Sequence, residues 1–317
     1  MTRSVFINHL AYALGDKPGT VEQAEQNDML LSPASALREV GFARHHICSN
    51  KTTTYDLAYR CVRNIHDDLG NIDAIIYATC IPGNGTTGTE SKFRETRDVK
   101  YLMDFPASHL QADFGLEKAI VIGLNQQACT GMLGSIRLAR NFLVSEPEMT
   151  RILCVTADRF PEGSLYEQAY NLISDGAAAC VVSTKAAGFR VLAFHGITNG
   201  AMVMASNDQT VGCYFTYAHQ VIHRTLHKAG LAITDIDWIV PQNTNMKAWQ
   251  ILSRIFDFDY GRVYFPTIND VAHVISGDNV INLKKLLEEG KLKSGERILL
   301  FMAGYGMNWQ CIILERE

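Results

Sequence analysis

The sequence contains no run of about 18 apolar residues, so no helical membrane span is expected. It also lacks an excess of positive charge: 29 Lys and Arg face 33 Asp and Glu, a formal net charge of −4. Binding a nucleic-acid backbone needs concentrated basic surface, so nucleic acid is not expected as a partner. The N-terminal stretch MTRSVFINHLAYALGD lacks a long apolar core and a small-residue cleavage site, so it does not read as a secretion signal. The cytoplasm is the compartment expected. None of the eight cysteines (Cys48, Cys61, Cys80, Cys129, Cys154, Cys180, Cys213 and Cys311) stands at C-x-x-C spacing from another. That argues against a zinc site and a redox motif of that type, and no metal or cofactor is expected. No short repeat, low-complexity segment or long flexible linker interrupts the chain.

What remains is 317 residues of ordinary globular composition, 47% hydrophobic and 20% charged. A chain of this length buries about 75% of its unfolded surface and needs no staples. Short apolar β-branched runs alternate with amphipathic stretches. Strands are predicted at Ser4–Asn8, Ile72–Thr79, Ala119–Asn125, Ile152–Thr156, Ala177–Ser183, Val191–Ile197, Ile236–Val240, Arg297–Met302 and Gln310–Leu314. Helices are predicted at Tyr55–Leu69, from Met132 to Leu143, and at Gln220–Ala229, Met246–Ile255 and Asn279–Glu289, the last with Gly290 as C-cap. Pro82–Thr89 is a glycine-rich loop. The alternation implies an α/β fold with parallel, covered sheets. The pattern restarts near residue 186, which suggests two halves, 1–186 and 187–317, that echo each other.

Four segments carry candidate chemistry. In NQQACTG (Asn125–Gly131), Cys129 follows a buried strand and opens a helix. The positive end of a helix favours a thiolate, and backbone N–H groups there can stabilise an oxyanion. The alternative is a core cysteine at a tight turn. In VPQNTN (Val240–Asn245), Gln242 and Asn243 leave a strand at the edge where α/β folds bind ligands. The alternative is a polar turn with Asn245 as N-cap. His273, in NDVAHVISG with Asp270, is a general-base candidate or a surface residue. GYGM (Gly304–Met307) permits close backbone approach, or is an ordinary hairpin turn.

In order, these segments resemble the ketoacyl synthase III family of condensing enzymes over nearly the whole chain. The resemblance rests on A-C-T-G (family A-C-x-G), D-W-I-V-P-Q-N-T-N (family V-P-H-Q-A-N), G-K-L-K-S-G-E-R-I-L-L (family G-x-I-K-x-G and a strand), and the terminal G-Y-G-M-N-W. It implies a thiolase-like fold of two pseudo-repeated halves in a five-layer αβαβα stack. It also implies a homodimer and acyl transfer from a thioester to Cys129. The backbone N–H groups of Cys129 and Gly306 would form the oxyanion hole.

The departures from the family are informative. The family's His falls at Gln242, and its Asn, counted back from G-K-L-K-S-G, falls at His273. The set therefore reads Cys129, Gln242, His273, with Asn243 and Asp270 as neighbouring candidates for the third residue. Decarboxylative condensation uses two neutral donors on one thioester oxygen. A Cys–His pair with an amide holding the ring suits general-base acyl transfer better. The family includes a branch that acylates hydroxyls, in which an acidic residue joins Cys and His. Aligned on Gly41, the Trp and Arg of coenzyme-A-using members fall at Ser35 and Glu39, with Arg38 adjacent. The donor is thus expected to be an acyl-carrier-protein or CoA thioester, with Arg38, Arg44 and Lys51 available to an acidic carrier. Met103, Phe105 and Met202 are expected in the acyl tunnel.

The leading expectation is an acyltransferase that passes a Cys129-bound acyl group to a small-molecule hydroxyl or amine in specialised metabolism. Decarboxylative carbon–carbon condensation with malonyl-carrier protein is the second. A non-catalytic subunit of a heteromeric condensing enzyme is the third, and retention of Cys129 argues against it.

Overall fold

A computed structural model describes residues 3–82, 90–305 and 307–317. Among the described residues, one large sheet takes nine strands: β1 (Phe6–Leu14), β2 (Ala74–Ala78), β3 (Ile120–Leu124), β4 (Arg151–Asp158), β5 (Gly176–Ser183), β6 (Phe189–Thr198), β7 (Trp238–Pro241), β8 (Arg297–Gly304) and β9 (Asn308–Arg316). Their order is β7-β8-β9-β6-β1-β5-β4-β2-β3. The strands of residues 1–186 and those of 187–317 occupy separate runs of that order. They meet at β1 and β6, which share only Phe6↔Arg190 and Ile7↔Phe189.

The sheet is mixed, not parallel as the alternation suggests. Only β2–β3, β2–β4 and β7–β8 run parallel. The chain passes from β4 to β5, β5 to β6 and β8 to β9 without an intervening helix, so each of those steps reverses direction.

Helices complete the layers. α1 (Thr54–Arg63) and α2 (Pro106–Asp113) cover one outer face, where Leu57, Cys61 and Leu110 pack on Ile75, Leu153 and Val181. α3 (Gly131–Ser145) and α6 (Asp278–Glu288) form the middle layer. Met132, Leu133, Ile136, Ala139 and Leu143 recur on one helical stripe of α3 and are buried with Val280, Leu283 and Leu286 of α6. That middle layer packs against strands of both runs, Ile76 and Cys180 on one side and Leu300 and Ile312 on the other. α4 (Asn207–Ala229) and α5 (Met246–Phe256) cover the other outer face through Val221, Ile222, Trp249 and Leu252. The result is the αβαβα stack expected from the resemblance. Every residue of β5 (GAAACVVS) is buried, as a strand covered on both faces requires.

α4 begins 13 residues earlier than the sequence suggests, at Asn207 rather than Gln220. Its N-cap Ser206 accepts from Gln209 N while the Gln209 side chain returns to the Ser206 N–H, a capping box that the apolar periodicity alone does not reveal. Asn245 caps α5, its side chain accepting from Lys247 N at 3.0 Å. The glycine-rich loop expected at Pro82–Thr89 lies outside the described residues beyond Pro82. Among the described residues no helix is long and apolar enough to cross a membrane.

Candidate active site

β3 ends at Leu124, and a single 3₁₀ turn, Ala128–Thr130, joins it to the 15-residue helix α3. Ala128 has φ = +44°, a left-handed conformation that costs a residue with a Cβ about 1–3 kcal/mol. Several neighbours hold it there. Ser276 Oγ donates to Ala128 O at 3.1 Å, and Thr130 Oγ1 donates to Gln127 O at 2.7 Å. Gly304 lies so close that an added Cβ would sit 3.0 Å from Cys129 N and 3.1 Å from Ala128 Cβ. The strained turn lifts Cys129 out of the core to the N-terminal end of α3, where it lines a cavity of about 320 Å³. Aromatic and aliphatic side chains dominate that cavity, among them Phe160, Tyr170, Tyr214, Phe215, Ile251 and Ile275.

His273 enters the same cavity from the other half of the chain. Two left-handed residues bracket it, Ala272 at φ = +54° and Ile275 at +44°. Its N–H donates to Leu172 O and its carbonyl accepts from Ser174 N, each at 2.9 Å. Its Nδ1 lies 2.5 Å from Oδ2 of Asp278, the first residue of α6, which is fully buried. The same carboxylate accepts from Val274 N at 2.7 Å and Asn243 N at 2.8 Å. With Nδ1 occupied, Nε2 is the ring nitrogen left for the Cys129 sulfur, with which the imidazole is hydrogen-bonded.

The electrostatics follow from these contacts. Burial opposes charge on His273, but Asp278 and then Cys129 outweigh it and raise the imidazole to about 10. Burial pushes the Asp278 carboxyl up while His273 and the backbone N–H groups pull it back. Cys129 is held well below the usual thiol range, first by a hydrogen bond with the Cys80 thiol, against burial, and then by His273 and the Tyr305 N–H. The proton therefore rests on the imidazole and the negative charge on sulfur.

Asp278, and not Gln242, holds the imidazole. Gln242 also lines the cavity, but its Oε1 accepts from Ala303 N, leaving the amide Nε2 as the end available to a ligand. An acid that combines burial, a helix N-terminus and two backbone donors outcompetes an amide for that imidazole. Asn243 is fully buried, braces Asp278 through its N–H, and donates from Nδ2 to Ala272 O at 2.6 Å. Asp270 is exposed. Gly306 lies outside the described residues. Met103 and Phe105 are 48% and 56% exposed, and Met202 packs against the outer core beneath α4. None of these three lines the cavity around Cys129. Ser35 and Glu39 are exposed, and Arg38 is paired with Glu22 through Nη2–Oε2 at 2.8 Å. Arg44 and Lys51 are exposed on the surface.

Two participants escaped the sequence reading. Asp278 stands five residues after His273, and its only signal is an acid in the first turn of the predicted helix. Cys80 follows β2, whose Ala78 pairs with Leu124 of β3. Parallel neighbours deliver the residues after their ends to one edge, so Cys80 and Cys129 converge. If the contacts above set the thiolate, iodoacetamide will alkylate Cys129 at neutral pH and below. In Asp278→Asn the midpoint of the alkylation–pH profile should rise toward the ordinary thiol value of about 8.5. An unchanged profile would remove Asp278 from the account.

Comparison with known proteins supplies the lineage. Residues 125–200 match the family model "3-Oxoacyl-[acyl-carrier-protein (ACP)] synthase III", and residues 226–316 match the model of that family's C-terminal part. Together they span just over half of the chain. Beta-ketoacyl-[acyl-carrier-protein] synthase III of Chlamydia caviae is 26% identical over 245 residues, 68% of this chain and 72% of the relative. That of Wolbachia pipientis is 22% identical over 302 residues, 87% of this chain and 88% of the relative. In fold, the chain superposes on 3-oxoacyl-(acyl carrier protein) synthase III of Pseudomonas aeruginosa with a TM-score of 0.82 at 20% identity, covering 99% and 98% of the two chains. It superposes on the acyltransferase ChlB3 with a TM-score of 0.80 at 17% identity, covering 99% and 98%. The chain belongs to the 3-oxoacyl-[acyl-carrier-protein] synthase III-like family of thiolase-superfamily condensing enzymes.

Proposed function

We propose that this chain is an acyltransferase that loads an acyl group onto Cys129 and delivers it to a hydroxyl or amine. The observation that carries this reading is the Asp278 carboxylate on Nδ1 of His273, with Cys129 on the other side of the ring. A neutral donor pair for an enolate needs no such carboxylate. A ring that must accept and return a proton gains from one, because the carboxylate fixes the tautomer and stabilises the imidazolium.

The chemistry then runs in two halves. The Cys129 thiolate attacks the carbonyl of a donor thioester, and the oxyanion forms against the N–H groups at the start of α3. The tetrahedral intermediate collapses, and the departing thiolate takes the proton from His273. An acceptor O–H or N–H then enters the aromatic cavity. His273 Nε2 removes its proton as it attacks the acyl carbonyl, and the C–S bond breaks to return the Cys129 thiolate. Gln242 Nε2 is placed to hydrogen-bond the acceptor or the acyl oxygen. The donor is an acyl-carrier-protein or CoA thioester, and the names of the curated relatives refer to acyl carrier protein. The outer edge of β3, where Ile120 and Val121 are 49% and 40% exposed, is the edge through which a second copy would extend the sheet into a homodimer.

A second reading, decarboxylative condensation, draws on the Gln242 amide as a fixed neutral donor. Incubation with malonyl-carrier protein and an acyl donor separates the two, since only condensation releases CO2. On the acyl-transfer reading no CO2 appears, and ester or amide forms once an acceptor is supplied. Cys129→Ala should abolish acyl loading, seen by intact-protein mass spectrometry. His273→Ala should accumulate acyl-enzyme without product, and full turnover in that variant would contradict the base assignment. Gln242→Ala should lower kcat/KM by about tenfold to a hundredfold.

A further inference from the structure

Cys80 has no part in the acyl-transfer chemistry, yet it is the cysteine that shares the cavity with Cys129. Cys48, Cys61, Cys154, Cys180 and Cys311 are buried, and Cys213 lies on α4 away from the cavity lining. The Cys80 and Cys129 side chains pack against one cluster, Phe160, Tyr166, Ile173 and Ile275, which itself keeps the pair on one wall of the cavity. Their thiols are hydrogen-bonded to each other.

The backbone fixes this approach. Fully buried Asp158 accepts, through Oδ1 alone, from Thr79 Oγ1 at 2.7 Å, Cys80 N at 2.8 Å and Ile81 N at 3.1 Å. Its other oxygen, Oδ2, is buried without a partner. A carboxylate placed in the core at that cost secures the three-residue turn that aims Cys80 at Cys129.

From this geometry we propose that Cys80 is a resolving cysteine, which captures Cys129 as a reversible disulfide when a hydroperoxide oxidises it. The Cys129 thiolate attacks the outer peroxide oxygen, the O–O bond breaks, and the alkoxide or hydroxide leaves with a proton, as alcohol or water. Cys129 becomes a sulfenic acid. The Cys80 thiol then loses its proton and attacks the Cys129 sulfur. The S–S bond forms, the S–O bond breaks, and the hydroxide departs as water. Two thiols and one hydroperoxide give one disulfide, one alcohol or water from the peroxide, and one further water. The sulfurs lose the two electrons that the peroxide gains, and an external dithiol reverses the step.

The two thiols are poised for opposite roles. The negative sulfur of Cys129, followed by burial, keeps Cys80 protonated in the resting site. Oxidation to a neutral sulfenic acid removes that charge, so Cys80 becomes able to ionise at the moment it is needed. The capture spares Cys129 from irreversible oxidation to the sulfinic acid.

The test uses the whole purified chain treated with equimolar hydrogen peroxide, quenched with N-ethylmaleimide and digested without reductant. The wild type should yield a peptide pair joined through Cys80 and Cys129, two hydrogens lighter than the free pair. Dithiothreitol should restore alkylation of Cys129. In Cys80→Ser and Cys80→Ala, Cys129 should instead gain two oxygens and lose that recovery, with circular dichroism confirming that the variants are folded. Sulfinic Cys129 without a cross-link in the wild type would overturn the proposal. So would a Cys129 disulfide to any other cysteine, or full recovery in both folded variants. The wild-type cross-link map decides by itself should the variants fail to fold. The readout is mass rather than turnover, so it is independent of which acceptor the enzyme acylates.

Discussion

The active centre depends on one buried contact, Nδ1 of His273 against the carboxylate of Asp278. A carboxylate at zero exposure is costly unless every lone pair it directs inward meets a donor. Here the donors are Val274 N, Asn243 N and the imidazole, and the first turn of α6 adds its partial positive charge. That satisfied anion is what allows a buried imidazole to carry charge at all. The charged ring in turn lets a thiolate persist at the start of α3, so the state of the nucleophile is set two residues away along a chain of contacts.

The fold exists, for this purpose, to bring that chain of contacts together across the molecule. Cys129 comes from the end of β3 and His273 from a loop beyond β7, and the middle layer of α3 and α6 is where the two runs of strands face one another. Backbone strain collects where they meet: Ala128, Ala272 and Ile275 all adopt left-handed conformations without being glycine. Surrounding hydrogen bonds over-determine these positions, which is how strain persists at sites that must aim a side chain. Gly304 completes the arrangement by offering no Cβ to the Cys129 backbone.

Much of this was legible in the sequence, and the parts that were not have physical reasons. Cys129 announced itself through strand, small residues and helix in immediate succession. His273 was found only by counting from a distant anchor, since nothing in its own neighbours marks it. Asp278 looked like an ordinary first-turn acid, because sequence does not say that the helix begins inside the core. Gln242 was given the role of holding the ring, a role that required knowing which neighbour its amide oxygen meets; that neighbour is Ala303 N. Parallel strands were expected throughout because periodicity reports burial on both faces and is silent about direction. The start of α4 was hidden because its first turns carry polar residues and aromatics with little apolar stripe, whereas its capping box was visible in Ser206 and Gln209.

The central claim, an imidazolium at position 273 sustained by Asp278 and paired with the Cys129 thiolate, is most directly tested by nitrogen-15 NMR of histidine-labelled protein. The account expects the ring nitrogens of His273 to keep imidazolium shifts well above neutral pH, and to titrate at lower pH once Cys129 is capped as a neutral methyl disulfide. A neutral imidazole titrating near the ordinary value of about 6.5, indifferent to the state of Cys129, would contradict it.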